Sequence, residues 1–143
     1  MIKNKIFEKV IFYDLPSDNC MRIAAVNIMQ YLMIAENLNQ TTKFSLGFLR
    51  TKVQRKVGRE DFLNGVMFLT RPDIAALVAY YEGYDEDTGS FVQVMPDDVL
   101  TAISDRQYFN PVNGKQLTEE EFSEQIQISF APSKSLLKSI QNF

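Results

Sequence analysis

The side chains most able to do chemistry in this sequence are five cations that fall within ten positions. They are Arg50, Lys52, Arg55, Lys56 and Arg59. From Lys43 to Arg59 the chain holds six basic residues and no acidic one. Clustered guanidinium and ammonium groups bind phosphate oxygens, so this segment is a candidate anion site, most simply for a nucleic-acid backbone. The alternative is a solvated helix face, or an internal partner for acidic residues.

Charge is also divided along the whole chain. Residues 1–59 hold ten basic and four acidic side chains, a net charge of +6. Residues 60–143 hold five basic and fourteen acidic side chains, a net charge of −9. The total of −3 hides this division. The acidic part is a candidate surface for a protein partner. Pairing of oppositely charged segments between two chains, which would form a homo-oligomer, stays open.

A second candidate surface combines tyrosines with carboxylates. Its members are Tyr80, Tyr84, Asp85, Glu86 and Asp87. Exposed tyrosine beside a charged loop is typical of protein-binding patches. The alternative is that each ring packs on the core and leaves only its hydroxyl in water.

Catalytic and metal chemistry find little support in the composition. The chain has no histidine, which excludes Ser-His-Asp and Cys-His nucleophiles and any metal site that uses histidine. A single cysteine, Cys20, excludes an intrachain disulfide and a zinc knuckle, and we interpret it as a small buried hydrophobe. The acidic run at 85–90 misses the calcium-loop spacing, because its glycine stands fifth rather than sixth. We therefore predict no enzyme, no cofactor and no metal.

Membrane and secretion signals are equally weak. The most apolar stretch, Met21 to Ile34, contains Arg22, Asn27 and Gln30, and falls short of the ~18 apolar residues expected of a membrane span. Charged residues interrupt the first fourteen positions, so they do not resemble a signal peptide. We predict a cytoplasmic protein with no membrane partner.

Periodicity then predicts the elements of the first half. Residues 6–13 are β-branched and aromatic, which indicates a strand. A long buried helix is predicted from about 18 to about 38, because apolar residues occur on nearly all its sides. Alternation predicts a short strand at 44–48, followed by one or two helical turns up to Val57. Residues 65–69 fit either a helix or a buried strand.

Residues 71–82 are the segment on which a DNA-binding interpretation depends. An apolar stripe at Ile74, Leu77 and Tyr81 predicts a helix, with Thr70 as its N-cap and Gly83 just beyond its end. With a helix near 59–69 and a hairpin near 107–117, this order would mimic a helix-turn-helix with a wing. A recognition helix must be polar, however, and this one carries a single cation. The sequence therefore disfavours DNA reading by that helix.

The remaining elements are signalled by their caps and turns. We predict a strand at 91–95, a helix at 96–104, and a hairpin around the Asn113-Gly114 turn. A capping box of Thr118 and Glu121 opens a further helix. A strand from 126 to 130 and a final helix after Pro132 complete the chain.

These patterns together predict one α+β domain over residues 1–143. It has about five helices and about four short strands in a mostly antiparallel sheet. The function predicted first is that of a non-catalytic binding protein acting through protein–protein interaction, as an adaptor, inhibitor or immunity-type partner. The alternative is a nucleic-acid-associated protein that uses the basic segment 50–59.

Overall fold

A computed structural model describes residues 4–13, 19–36, 38–39 and 41–141. Within them the chain forms seven helices and four strands, which confirms the predicted α+β class with two more helices than expected. In chain order these are α1 (Lys5–Ile11), α2 (Cys20–Ile34), β1 (Phe44–Ser45), α3 (Leu46–Arg50), α4 (Arg59–Leu69), β2 (Leu77–Asp85), β3 (Ser90–Gln93), α5 (Pro96–Asp105), α6 (Glu119–Gln125), β4 (Ile126–Pro132) and α7 (Lys134–Gln141).

The strands form a single sheet in the order β1-β4-β2-β3. Strands β2 and β3 are antiparallel, with Glu82 opposite Gln93 and Asp85 opposite Ser90. Gly89 closes their turn at φ 68°, a left-handed conformation that glycine adopts without steric cost, and its amide donates to the carbonyl of Asp85 at 2.8 Å.

Contacts divide the chain into two compact units. Unit 1 comprises Met1–Val78 and Phe130–Phe143, and unit 2 comprises Ala79–Ser129. By sequence, unit 1 holds thirteen basic and seven acidic residues, net +6, while unit 2 holds two basic and eleven acidic residues, net −9. The division of charge therefore follows the division of the fold. That residues 1–143 act as one domain stays a prediction.

Helix α2 is the centre of unit 1 and packs against α1 and α4. Asn19 caps it, since its side chain accepts from the amide of Arg22 at 3.2 Å. The fully buried positions all lie on one face: Ala24, Ala25, Ile28, Met29 and Leu32. The predicted helix over 18–38 is correct in position but too long, because Ala35 turns to an extended conformation. Residues 18 and 37 lie outside the described part.

The strand predicted over 6–13 is wrong, because residues 5–11 form helix α1. Asn4 accounts for the difference. Its side-chain oxygen accepts from the amides of Ile6 and Phe7, both at 3.0 Å, and so starts a helix. Ile6 and Val10, four residues apart, are the two positions of this helix that are buried. Capping and packing thus override the β-propensity of the side chains.

The helix predicted over 71–82 is also wrong. Residues 71–74 form a turn, Ala75 takes a φ of 52°, and Leu77–Asp85 is strand β2. Leu77 and Tyr81 are four residues apart, a spacing that fits a helical stripe and a strand alternation equally well. Burial at Leu77, Tyr81 and Gly83 follows the alternation of a strand. The sequence disfavoured DNA reading by a helix over 71–82, but residues 71–82 do not form a helix.

The segment 44–69 resolves two further predictions. The strand predicted at 44–48 stops at Ser45, whose hydroxyl accepts from the amide of Phe48 at 3.1 Å and so begins α3. The helical turns predicted up to Val57 end at Arg50 as regular helix. Residues 65–69, which fit either element, belong to helix α4.

The later elements match their sequence signals. The capping box is present, with the amide of Thr118 donating to Glu121 at 2.9 Å and the amide of Glu121 donating to Thr118 at 3.1 Å. The hairpin at 107–117 is confirmed by a bridge between Phe109 and Gln116. The core of unit 2 is formed by Tyr81, Val99, Ala102, Phe122 and Ile126.

Candidate nucleic-acid interface

The five predicted cations lie in and around the connection between two helices of unit 1. Arg50 ends α3 and Arg59 begins α4, while Lys52, Arg55 and Lys56 lie between them. We call residues 51–58 the basic loop, and α3, the basic loop and α4 the two-helix motif. The connection of eight residues is longer than the three- or four-residue turn of helix-turn-helix proteins, and α4 packs mainly against α2 rather than against α3.

The basic loop is held from inside by two valines. Val53 is 6% exposed and Val57 is fully buried. Between them, the amide of Gln54 donates to the side-chain oxygen of Asn27 on α2 at 3.1 Å. Because both valines point inward, the intervening Arg55 and Lys56 are left on the outside, where they are exposed.

Two of the five cations stabilise the two-helix motif itself. Arg50 Nη2 donates to the carbonyl of Val57 at 2.6 Å, and its guanidinium lies 5.4 Å from the ring centre of Phe62 on α4. Arg50 Nη1 is buried with no hydrogen-bond partner in the described chain. Lys52 Nζ lies 4.7 Å from the ring centre of Tyr31 and 5.0 Å from that of Phe48. Such contacts fix the loop against both helices.

The other three cations face solvent. Arg55, Lys56 and Arg59 are exposed, and none of them has a hydrogen bond, ion pair or ring contact among the described residues. Gly58 is the N-cap of α4 and offers no side chain to its first amides. Glu60 and Asp61 follow in the first turn and reduce the local positive charge. Lys52 is exposed as well, but its ammonium lies over two rings, so the cations without a partner among the described residues are three rather than five.

Arg71, which follows α4, is held differently. Its Nε and Nη2 both donate to the carboxylate of Asp73 at 3.0 Å, and its guanidinium lies 5.3 Å from the ring centre of Tyr13. Hydrogen bonding to Tyr13, followed by the nearby Asp73 carboxylate, raises the pKa of Arg71 above its already high ordinary value. The side chain is therefore cationic but partly neutralised, and we do not include it in the interface.

Comparison of the chain with protein-family models, with curated proteins and with solved structures gives no match. In the described part of the chain, no helix is long and apolar enough to cross a membrane. Among the same residues there is no group of three or more cysteine, aspartate or glutamate side chains placed to hold a metal ion. Cys20 is a free, half-buried thiol at the first position of α2.

The tyrosines of the second predicted surface lie on strand β2. Tyr80 and Tyr84 are both half-buried. The ring of Tyr84 packs edge-to-face on Phe91 of β3, with their centres 5.5 Å apart. Between them Tyr81 is buried, and burial raises the pKa of its hydroxyl. A strand therefore places the two tyrosines on the same side by alternation, as a helix reaching Tyr84 would also have done.

The carboxylates of that surface belong to the β2–β3 turn. Asp85 accepts from the amide of Asp87 at 3.0 Å and from the hydroxyl of Thr88 at 3.2 Å. Glu86 pairs with Lys115 at 3.1 Å. Asp87 is exposed. Of the three carboxylates that the sequence predicted to bind a partner, Asp85 thus stabilises the turn itself and Glu86 links it to Lys115.

Asn110 is a residue of unit 2 that the sequence analysis did not single out. It is fully buried, and Nδ2 donates to the carbonyl of Tyr84 and to Oε1 of Gln125, both at 2.9 Å. Oδ1 accepts from the amide of Val112 at 2.9 Å. The dipeptide Asn110-Pro111 is typical of a turn, but it does not indicate that the Asn110 side chain connects Tyr84, Val112 and Gln125.

Helix α5 presents an apolar surface that the sequence analysis also missed. Met95, Leu100 and Ile103 are 65%, 45% and 44% exposed, while Val99 and Ala102 face the core. We call Leu100 and Ile103 the apolar face of α5; Met95 is the N-cap that precedes the helix. The spacing of Leu100 and Ile103 beside the inward pair could have revealed it, since a helix with two apolar stripes has more apolar surface than one core contact needs.

Proposed function

We propose that this protein is a non-catalytic nucleic-acid-binding protein that contacts phosphates through Arg55, Lys56 and Arg59. The observation that carries the proposal is that these three cations are exposed, are without partners among the described residues, and flank the start of the second helix of the two-helix motif. The first turn of the second helix is where helix-turn-helix proteins approach DNA. A cytoplasmic location, proposed with it, gives access to nucleic acid.

The local architecture supports this function over a merely solvated charge run. Two buried valines and a hydrogen bond to α2 hold the basic loop in one conformation, so the cations are presented on a fixed backbone. Unit 1 carries a net charge of +6, which favours approach to a polyanion even though the whole chain is at −3. Arg50 and Lys52 contribute by holding the loop.

The salt dependence of duplex DNA binding tests the number of contacts. Three phosphate contacts predict a slope of about −2.7 in log affinity against log salt, whereas five would predict about −4.5. The variant Arg55→Glu with Lys56→Glu should lose retention on DNA at ~0.15 M salt, because two attractions become repulsions. Fluorescence anisotropy with a labelled duplex measures both quantities.

A matched control uses two exposed lysines of α7. Lys134→Glu with Lys138→Glu makes the same change of net charge within unit 1, at positions outside the two-helix motif. It should leave the slope near its wild-type value. Equal loss by both double variants would show only a general charge effect, and unchanged binding by the Arg55/Lys56 variant would end the proposal.

A second candidate function is favoured by the apolar face of α5, and concerns unit 2 alone. We propose that this face, in a unit of net charge −9, docks a protein with a basic, partly apolar surface. Leu100 and Ile103 are exposed neighbours on one helix face, and such apolar side chains are suited to the buried centre of a protein interface. The segment Tyr80–Asp87 remains the contact surface that the sequence predicted for the same function.

A paired comparison separates those two surfaces of unit 2. Cross-linking in source-cell extract would identify the partner, and its affinity would then be measured with both proteins purified. If these two residues are the central anchors of the interface, Leu100→Ser with Ile103→Ser should weaken binding at least tenfold, because truncation of such an anchor costs about 2 kcal/mol or more. Tyr84→Ala with Asp85→Lys should act less. The reverse ranking would return the contact to the Tyr80–Asp87 segment, and no effect from either would remove both.

A further inference from the structure

We propose that α4 is a recognition helix for the major groove of duplex DNA, and that Asn64 reads an adenine there. The proposal rests on the proposed nucleic-acid function and makes it more specific, since phosphate contacts alone do not distinguish one sequence from another. It adds a base-reading residue, a type of groove and a preferred base.

Helix α4 has a buried face and an outer face, and the half-buried Asp61 falls on the buried side. At 100° per residue, its buried positions cover one continuous arc: Phe62, Gly65, Val66, Phe68 and Leu69. The opposite arc, which we call the outer face of α4, contains Arg59, Glu60, Leu63, Asn64 and Met67. Four of these five are exposed and Leu63 is half-buried. Met67 is 40% exposed.

The contact between α4 and α2 fixes which face looks outward. A Cβ atom built on Gly65 would lie 2.8 Å from the Cβ of Ala24 and 2.9 Å from the carbonyl oxygen of Met21. The two helices therefore touch backbone to backbone at this point. Such a close contact leaves α4 little freedom to rotate, so the outer face is presented in one orientation, as a reading surface requires.

The side chains of the outer face match the chemistry of base edges. Asn64 is an exposed amide with no hydrogen-bond partner among the described residues. A side-chain amide can accept from N6 and donate to N7 of adenine at once, which is the pairing that asparagine makes most specifically. Met67 and Leu63, close to it on this face, offer apolar contact suited to a thymine methyl group.

Charge and shape select duplex DNA as the occupant. Arg59 begins the same helix, and Arg55 and Lys56 precede it, so cations suited to phosphates stand next to the reading face. The major groove of B-form DNA admits an α-helix, whereas that of an RNA duplex is too narrow. Glu60 lies on the outer face one turn before Asn64, and its carboxylate opposes the approach of any polyanion, so the attraction depends on the three cations.

Selection from a randomised duplex library, followed by anisotropy on the selected and scrambled duplexes, tests the proposal. The wild-type protein should enrich a short motif containing an A·T pair. Asn64→Ala should lower its preference for the selected over the substituted base pair by about ten- to a hundredfold, with the salt slope unchanged. The control Gln30→Ala removes an exposed amide from α2 and should leave the preference intact.

The possible outcomes distinguish base reading by Asn64 from the phosphate binding on which it rests. Duplex binding with the expected salt slope but without any sequence preference would overturn base reading and leave phosphate binding in place. A motif that Asn64→Ala does not alter would also overturn the role of Asn64. Tighter binding to single strands or to RNA than to duplex DNA would overturn the recognition helix alone. Absence of binding to any of these nucleic acids would overturn the recognition helix and the proposed function together.

Discussion

Replacing Gly65 by valine is expected to lower the free energy of unfolding by about 3 kcal/mol and the melting temperature by about 10 °C. The new Cβ would meet the Cβ of Ala24 at 2.8 Å and the backbone oxygen of Met21 at 2.9 Å. The second of these atoms belongs to the backbone of α2, so the strain cannot be relieved by turning a side chain. Helices α2 and α4 would have to separate. Thermal unfolding followed by circular dichroism measures the change.

Gly47 in α3 provides the matched control for that experiment. It is also a helical glycine, but a Cβ there would meet only the hydroxyl of Ser45, at 3.9 Å. Gly47→Ala should therefore gain up to about 1 kcal/mol from helix propensity. If the Gly65 variant has the same melting temperature as the wild type, α4 is not held closely by α2. The outer face of α4 would then not be fixed in one orientation.

Removing the buried amide of Asn110 is the second change with a large expected effect. Asn110→Ala leaves the carbonyl of Tyr84 and the amide of Val112 without their side-chain partner in unit 2. Each unsatisfied buried group costs about 1–3 kcal/mol, so we expect a loss of about 3 kcal/mol. Hydrogen exchange should show the loss of protection first in residues 79–129, and chemical denaturation gives its size.

Asn113 is the control within the same hairpin. It is exposed, and its side chain accepts one bond, from the amide of Lys115 at 2.9 Å. Asn113→Ala should therefore cost no more than about 1 kcal/mol. Similar losses for the two variants would mean that the hairpin depends on its turn rather than on the buried network around Asn110.

What could be predicted from the sequence was the part signalled by local chemistry. Two such signals are the capping box of Thr118 with Glu121, which predicts the start of a helix, and the Asn113-Gly114 dipeptide, which predicts a turn. Each depends on a hydrogen bond or a backbone conformation that few other residues supply. The cluster of cations was visible for the same reason. Which cations were available was not, because Arg50 and Lys52 are engaged by Val57 and by aromatic rings whose positions depend on the tertiary fold.

The wrong prediction over 71–82 came from a sequence pattern that fits two types of secondary structure. Leu77 and Tyr81 fit both a helix and a strand, and only the pairing of β2 with its neighbours β4 and β3 distinguishes the two. Because of that one ambiguity, residues 71–82 were predicted to be the second helix of a helix-turn-helix, whereas they form a turn and the start of strand β2. Asn110 was missed because a buried amide owes its importance to partners 15 and 26 residues away.

The interruption of unit 1 by unit 2 has a consequence for synthesis on the ribosome. Residues 79–129 form one continuous stretch, so unit 2 can close while translation proceeds. Unit 1 cannot, because Asn4 at the start of α1 hydrogen-bonds Ser139 at 2.7 Å, and α1 packs against α7. Unit 1 therefore cannot be completed until Ser139 has been synthesised, whereas the acidic unit 2 can fold before that point.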